Sequence, residues 1–435
     1  MILFLHNRYR TLGGEERVVD DLLWLVREHL GEDARLLTRD SATLGRGAAA
    51  SGLLRGGLRP QEVADAVRSS GARIVHAHNL NPSLGWRALA AARAAGAKTV
   101  LHLHNYRLVC AVGTCFTRGA DCTRCHGRDT LPGVRLNCRG TGAEAAVYGA
   151  ALALWQRRLI AHADAVVVPS AFAAQRLRAL GAPLPRQAGE PPASPRGTSS
   201  AGEAPARPRD MPPGGGAPAR PRYMPPGGEP PATPHGMSSA GGRGELGGGP
   251  RLHVVGHVVR DVVARSTAAA GAHALVVSRL APEKGVEVAI AACAAAGVPL
   301  VVAGDGPQLA TLRARAAGTD TRFAGRVGDR ELAVLRATAG LAVVPSRSAE
   351  TFGLAAAEAM AAGLPVAGSA IGALPELCGL EGLVAPGDAA ALALAVRARF
   401  GDAEAGEAGR LRVLEIAAPR AVARALGAVY DAVRG

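Results

Sequence analysis

Two carboxylates, Glu350 and Glu358, stand eight positions apart in Pro345-Ser-Arg-Ser-Ala-Glu-Thr-Phe-Gly-Leu-Ala-Ala-Ala-Glu358. The apolar run Leu341 to Val344 precedes them as a buried strand that stops at Pro345. A helix of small residues then starts near Thr351 to Gly353. This spacing puts Glu350 at the helix mouth and Glu358 about two turns down on a nearby face. Free amides at Thr351, Phe352, Gly353 and Leu354 would face the same strand end, where α/β sheets bind anions. Amides suit phosphate and carboxylates suit hydroxyls, so the segment fits a ligand that carries both.

Cations for such a ligand lie upstream. Ser278-Arg-Leu-Ala-Pro-Glu-Lys-Gly285 leaves a strand, turns at a proline and enters a helix, with Arg279 and Lys284 flanking the turn. Both can converge on phosphates, although a solvated turn would look the same in isolation. Gly304-Asp-Gly-Pro307 is a second turn at a strand end, its glycines serving backbone geometry or close ligand approach. Gly372 would let backbone pass close to a ligand, and Glu376 reads equally as a helix-start residue.

The first half offers a different set. Gly13-Gly14-Glu15 sits between a strand and a helix, where bare backbone favours an anion or simply a tight turn. His102 and His104 alternate with leucines at a strand end, so both point to one side. Cys110, Cys122, Cys125 and Cys138 could hold a structural zinc, since Cys122 and Cys125 have the bite for one metal. A redox pair or plain reduced thiols are the alternatives.

The elements that must position these groups are legible. Strands at Ile2 to Leu5, Ala34 to Leu37, Ile74 to Ala77, Thr99 to Leu103 and Ala165 to Val168 alternate with amphipathic helices. That order and the apolar strands imply a parallel sheet covered on both faces. A second βα series runs from Ala274 to a long final helix ending near Val433. Between them, residues 184–250 are Pro, Gly, Ser and Arg with almost nothing to bury, and Gly-Glu-Pro-Pro-Ala recurs at 189 and 228. That stretch reads as a disordered insert. The expected domains are 1–183 with a cysteine lobe at 106–140, 251–410, and a C-terminal helix at 411–435 packing back toward the first.

Composition sets outer limits. At 435 residues two domains are the default, and 48% hydrophobic content supplies their cores. Aromatics are only 3%, and the net charge of +14 is carried by scattered arginines with no reading module. Both features argue against nucleic acid as the main ligand. A basic face against anionic lipid, or a cleft for an anionic ligand, uses the charge better. The chain opens directly on a strand, and no apolar stretch reaches the roughly eighteen residues of a membrane span. The expectation is a cytoplasmic protein, working in some settings at the inner membrane face.

In order and spacing, the second half resembles the retaining glycosyltransferases of GT-B fold in family 4, also called glycosyl transferases group 1. The matching residues are Ser278-Arg279-Leu280 with Glu283-Lys284-Gly285, Gly304-Asp305-Gly306-Pro307, Pro345-Ser346, Glu350 with Phe352-Gly353, and Glu358 through Val366. Thr351 after Glu350, in place of the commoner glycine, is a mild departure. The resemblance implies two Rossmann-like domains facing across a cleft, with a nucleotide-diphosphate sugar as donor. It implies that Arg279 and Lys284 hold the diphosphate, Glu358 the ribose hydroxyls, and Glu350 the transferred sugar. Gly13 and Gly14 would then line the donor phosphate, and His104 would lie by the reacting centre. Asn105 stands where the family has an acid, so His104 is better called a positioning residue than a base. A subset of the family carries a cysteine-bearing insertion after Tyr106-Arg-Leu-Val-Cys110, which implies an ordered lobe, and its position over the cleft suggests acceptor recognition.

No Asp-x-Asp pair stands at a strand end where a magnesium ion would sit, so no cofactor is expected in catalysis. The acceptor is left as a glycan, a lipid-linked glycan or a small molecule. Competing readings are a nucleotide-sugar epimerase, a phosphorylase of the same fold, and a non-catalytic basic scaffold.

Overall fold

The computed structural model describes residues 1–9, 13–188, 250–260 and 265–435. Most of the Pro/Gly/Arg-rich insert, 189–249, lies outside the described residues. The first sheet contains β1 (Ile2–Arg8), β2 (Ala34–Asp40), β3 (Ile74–Ala77) and β4 (Lys98–His102). A small antiparallel hairpin, β5 (Phe116–Thr117) and β6 (Ala120–Asp121), follows in the cysteine lobe. β7 (Ala165–Val168) and β8 (Arg251–Val254) complete the sheet in the order β2-β1-β3-β4-β7-β8, all parallel.

The second sheet is built from β9 (His273–Val277), β10 (Leu300–Ala303), β11 (Thr321–Gly325), β12 (Ala339–Val344), β13 (Val366–Ser369) and β14 (Leu383–Val384). Its order is β11-β10-β9-β12-β13-β14, again parallel. In each sheet the strand order reverses beside the first strand, between β1 and β3 and between β9 and β12. Chains leave such neighbouring strand ends in opposite directions and open a crevice there.

Alternation explains the double-sided burial. Ile2 and Phe4 of β1 pack with Leu22, Ile74 and Val100 on one face, while Leu3 and Leu5 pack with Val75, Leu89 and Leu101 on the other. The second sheet is likewise covered on both faces. No helix among the described residues is long and apolar enough to cross a membrane.

Three features depart from the sequence reading. The strand at Arg251–Val254 closes the first sheet beside β7 instead of opening the second domain. Residues 186–188, inside the stretch read as disordered from 184, pair with β8, the Leu252 amide donating to Arg186 O at 2.8 Å and the Ala188 amide to Leu252 O at 2.9 Å. The last helix is two helices, Ala403–Ala417 and Pro419–Arg434, because Ala418 takes the extended conformation imposed by the following proline.

That break turns the terminal helix back onto the first domain. Val422, Leu426, Val429 and Tyr430 are buried in the core beneath β1 with Val18, Leu22 and Leu25 of the Gly14–His29 helix. Truncating Leu426 to alanine, fully buried here, should destabilise the protein by about 2–5 kcal/mol. Urea denaturation of Leu426→Ala measures this, and a loss under about 1 kcal/mol would contradict the packing described.

Candidate functional site

The C-terminal ends of β9, β10 and β12 face the first domain across a cleft of about 1690 Å³. Its centre is a carboxylate. Lys284 donates to Glu350 Oε1 at 2.7 Å, and the Ser346 hydroxyl donates to the same oxygen at 2.6 Å. Burial pushes the Glu350 carboxyl up, but the Lys284 ammonium and these hydrogen bonds outweigh it and hold the group below its ordinary range.

Two tight backbone approaches fix this pair. Gly285 has φ +65°, and a Cβ there would lie 2.1 Å from Pro345 O, so the loop carrying Lys284 packs directly on the loop carrying Ser346. Gly372 has φ +66°, and its Cβ would lie 2.3 Å from the Glu350 amide nitrogen. The close approach at Gly372 is therefore to Glu350 itself, not to a ligand. The glycines at 304 and 306 likewise press on the backbone of Ser278 and Leu280.

Glu358 has two guanidinium partners. Arg336, from the Asp329–Ala337 helix, bonds one oxygen, and Arg17 Nη2 reaches the other from the facing domain at 3.3 Å. Arg279 is half exposed and pairs with Glu283. The Leu354–Ala361 helix starts at Gly353 with no side-chain cap, which leaves its first amides for a ligand. Phe352 is buried against His257, ring centroids 4.9 Å apart, so only its backbone serves the cleft.

The same segment joins the domains. The Thr351 hydroxyl donates to His104 O at 2.8 Å, and Ser170 donates to Thr351 O at 2.6 Å. Glu376 accepts from the amides of Ala171 and Phe172 at 3.0 and 2.9 Å, capping a helix of the first domain. It lies in the first turn of its own short helix, Leu374–Cys378, and caps the other domain's helix as well.

On the facing wall, Gly13 is the N-cap of the Gly14–His29 helix, and its amide donates to Glu16 at 2.8 Å. A Cβ on Gly14 would meet nothing within 4 Å, so the fold does not demand glycine there. Tyr9 and Asn105 both donate to Glu15 Oε2, at 2.8 and 3.0 Å. Burial pushes the Glu15 carboxyl up. Arg107 lies over the Tyr9 ring at 4.7 Å. His104 is buried, and burial followed by repulsion from His6 lowers its imidazole to about 3, so it is neutral near pH 7.

Gly13, Gly14, His104, Arg279, Lys284, Glu350, Thr351, Phe352, Gly353, Leu354 and Glu358 all line this one cleft. Sequence reasoning missed Arg17 and Arg336, because isolated helix arginines carry no local mark. Glu15, singled out with the glycine pair before it, lines the cleft as well.

Cys110, Cys122 and Cys138 lie near enough to Cys125 for their charges to act on its thiol, while no three of the four sulfurs lie within 4.8 Å of one another. Among the described residues, the groups of three ligating side chains whose donors lie within 4.8 Å of one another are built of histidines.

Comparison with known proteins agrees with this layout. The model for a glycosyl transferase 4-like domain matches residues 13–189, and the model for glycosyl transferases group 1 matches residues 271–402. The chain belongs to the group 1 glycosyltransferases of GT-B fold.

Among relatives, glycogen synthase of Mycobacterium tuberculosis is 40% identical over 179 residues, covering 38% of this chain and 43% of that protein. A GDP-mannose-dependent alpha-(1-6)-phosphatidylinositol dimannoside mannosyltransferase from the same species is 42% identical over 126 residues, covering 27% and 33%. The aligned region thus spans less than half the length of these relatives. Sucrose-phosphate synthase of Thermosynechococcus elongatus superposes with a TM-score of 0.60 at 19% identity, covering 99% of this chain and 98% of that one. Anabaena HepE, solved with UDP and glucose, gives 0.56 at 16%, covering 99% of each. These two likenesses speak for the fold alone.

The Lys284–Glu350 pair has a testable pH signature. The contribution of ionised Glu350 is complete above the ordinary carboxylate pKa and is lost as pH falls through its depressed folded value. Lys284→Met removes the cation and leaves burial to dominate, so the Glu350 pKa should rise and the acidic limb of any activity should move to higher pH. A pH–rate profile of the variant reads this, and an unmoved acidic limb would contradict the assignment.

Proposed function

We propose that the chain transfers a sugar from a nucleotide-diphosphate sugar to an acceptor hydroxyl with retention of anomeric configuration. The observation that carries the reading is the convergence of Arg279, Lys284, an uncapped helix start and two acids on one interdomain cleft. Arg279, Lys284 and the amides from Thr351 to Leu354 receive the diphosphate. Glu358 takes the ribose hydroxyls and Glu350 the sugar that moves, while Gly13 and Gly14 admit the phosphates from the other side.

As the bond from the anomeric carbon to the diphosphate breaks, its electron pair passes to the phosphate oxygen, where the cations and amides stabilise it. The acceptor oxygen bonds to the anomeric carbon from the same face, and its proton goes to the departing phosphate. Neutral His104 suits this path as a hydrogen-bonding guide for the acceptor, because an uncharged imidazole can accept a hydrogen bond as well as donate one.

We infer that the acceptor enters beside the cysteine lobe, where Arg107, Arg139, Phe116 and Tyr148 line the cleft. A glycan, a lipid-linked glycan or a small molecule fits that polar and aromatic wall. A cytoplasmic setting with peripheral membrane contact suits the exposed Leu54 and Leu154, which adjoin Arg55 and Arg157.

The test is an NMR time course with a panel of nucleotide sugars and acceptors. The expected outcome is acceptor-dependent release of a nucleoside diphosphate and a product with the donor's anomeric configuration. Glu350→Gln should cut the rate about 100-fold or more. An inverted product would end the retention mechanism. Donor consumption without acceptor would favour an epimerase, and a requirement for inorganic phosphate a phosphorylase.

A further inference from the structure

Two His-x-His pairs occupy neighbouring strands: His76 and His78 at the end of β3, His102 and His104 at the end of β4. Alternation sends residues i and i+2 to one face of a sheet. The register His76 to Val100 and Ala77 to Leu101 carries His78 to the level of His102. The imidazoles of His76, His78 and His102 consequently form a buried triangle, with ring centroids 4.5, 5.4 and 5.4 Å apart. They are 0%, 3% and 1% exposed, with the buried imidazoles of His6, His104 and His257 beside them.

The hydrogen bonding of this triangle is incomplete in a specific way. His76 Nδ1 bonds the Tyr430 hydroxyl at 2.7 Å, and His78 Nδ1 bonds His104 Nε2 at 2.7 Å. His76 Nε2, His78 Nε2 and both nitrogens of His102 are buried without a partner. Single orphaned polar atoms are uncommon in protein interiors, and a group of them on facing side chains calls for a shared partner. One nitrogen from each of the three residues lies within 4.8 Å of the other two.

We propose that His76, His78 and His102 form a binding site for one divalent transition cation of the zinc, cobalt or nickel class. Three imidazole nitrogens are a donor set for such ions, and the set contains no carboxylate to favour magnesium or calcium. The Nδ1 atoms of His76 and His78 are anchored by Tyr430 and His104, contacts of the kind that orient ligating imidazoles, and Nε2 of each is left for an ion.

Bonds of about 2.0–2.1 Å to a tetrahedral ion require the donors to close to roughly 3.3 Å. Rotation about the Cβ–Cγ bond, a broad torsion in histidine, supplies that movement. An entry route exists, because His78 and His102 line a cavity that shares Glu15, His104, Asn105 and Arg107 with the cleft. A bound ion would clamp β3 to β4 and, through Tyr430, to the terminal helix. It would do so whether or not the cleft transfers a sugar.

The test uses the full chain, stripped with a chelator, reloaded with Zn²⁺ or Co²⁺ alone and desalted. X-ray absorption at the zinc edge should report imidazole nitrogen ligation at one ion per chain. The cobalt form should show visible d–d bands without the thiolate charge-transfer band that the cysteine lobe would give. Both signals should vanish in His76→Gln and His102→Leu and persist in His257→Asn. Should His102→Leu fail to fold by circular dichroism, the wild-type edge spectrum and His76→Gln decide. Loss of the metal on desalting, a sulfur-only shell, or full retention in His76→Gln would each overturn the proposal.

Discussion

A carboxylate taken out of water stays ionised only when a cation and hydrogen-bond donors replace the solvent, and Glu350 depends on that exchange. Lys284 and Ser346 both bind the same oxygen, which leaves Oε2 of Glu350 for something else in the cleft. For Lys284 to arrive there, the loop after β9 must lie against the loop after β12. The sheet order makes those strands neighbours, and Gly285 removes the side chain that would hold the loops apart. Gly372 does the same on the far side of Glu350. The architecture of the second domain can be read as the set of conditions under which one acid stays charged inside it.

The segment that carries this acid also holds the two domains together. Thr351 bonds the backbone of His104 and receives a bond from Ser170, one position after Glu350. Arg17 crosses from the other wall to Glu358. Ligand-facing groups and hinge-facing groups thus alternate along a few residues of chain. Movement between the domains cannot leave the geometry around Glu350 and Glu358 unchanged, which is how closure around a ligand would be sensed.

Much of this was legible in the sequence, for physical reasons. Strand–helix alternation is fixed by apolar periodicity, and Ile74–Ala77 and Ala165–Val168 fall where their apolar runs end. Groups such as Arg279, Lys284 and Glu350 sit at strand ends, so topology alone brings them to one side. What pattern does not encode is pairing between distant elements. Nothing local marks Arg336 as the partner of Glu358, or Arg251–Val254 as the last strand of the first sheet. Spacing along a chain likewise does not fix where the cysteine sulfurs point. His102 and His104 were visible as a pair, but their relation to His76 and His78 depends on which strands are neighbours.

The central claim is that this cleft binds a nucleoside diphosphate through Lys284, Arg279 and the uncapped helix. Isothermal titration of the free nucleoside diphosphates into the wild-type protein and Lys284→Met is the most direct test. The account predicts saturable binding of at least one nucleotide and a weakening of about 10-fold or more in the variant. Equal affinity in the two proteins, or no binding of any nucleotide to the wild type, would contradict it.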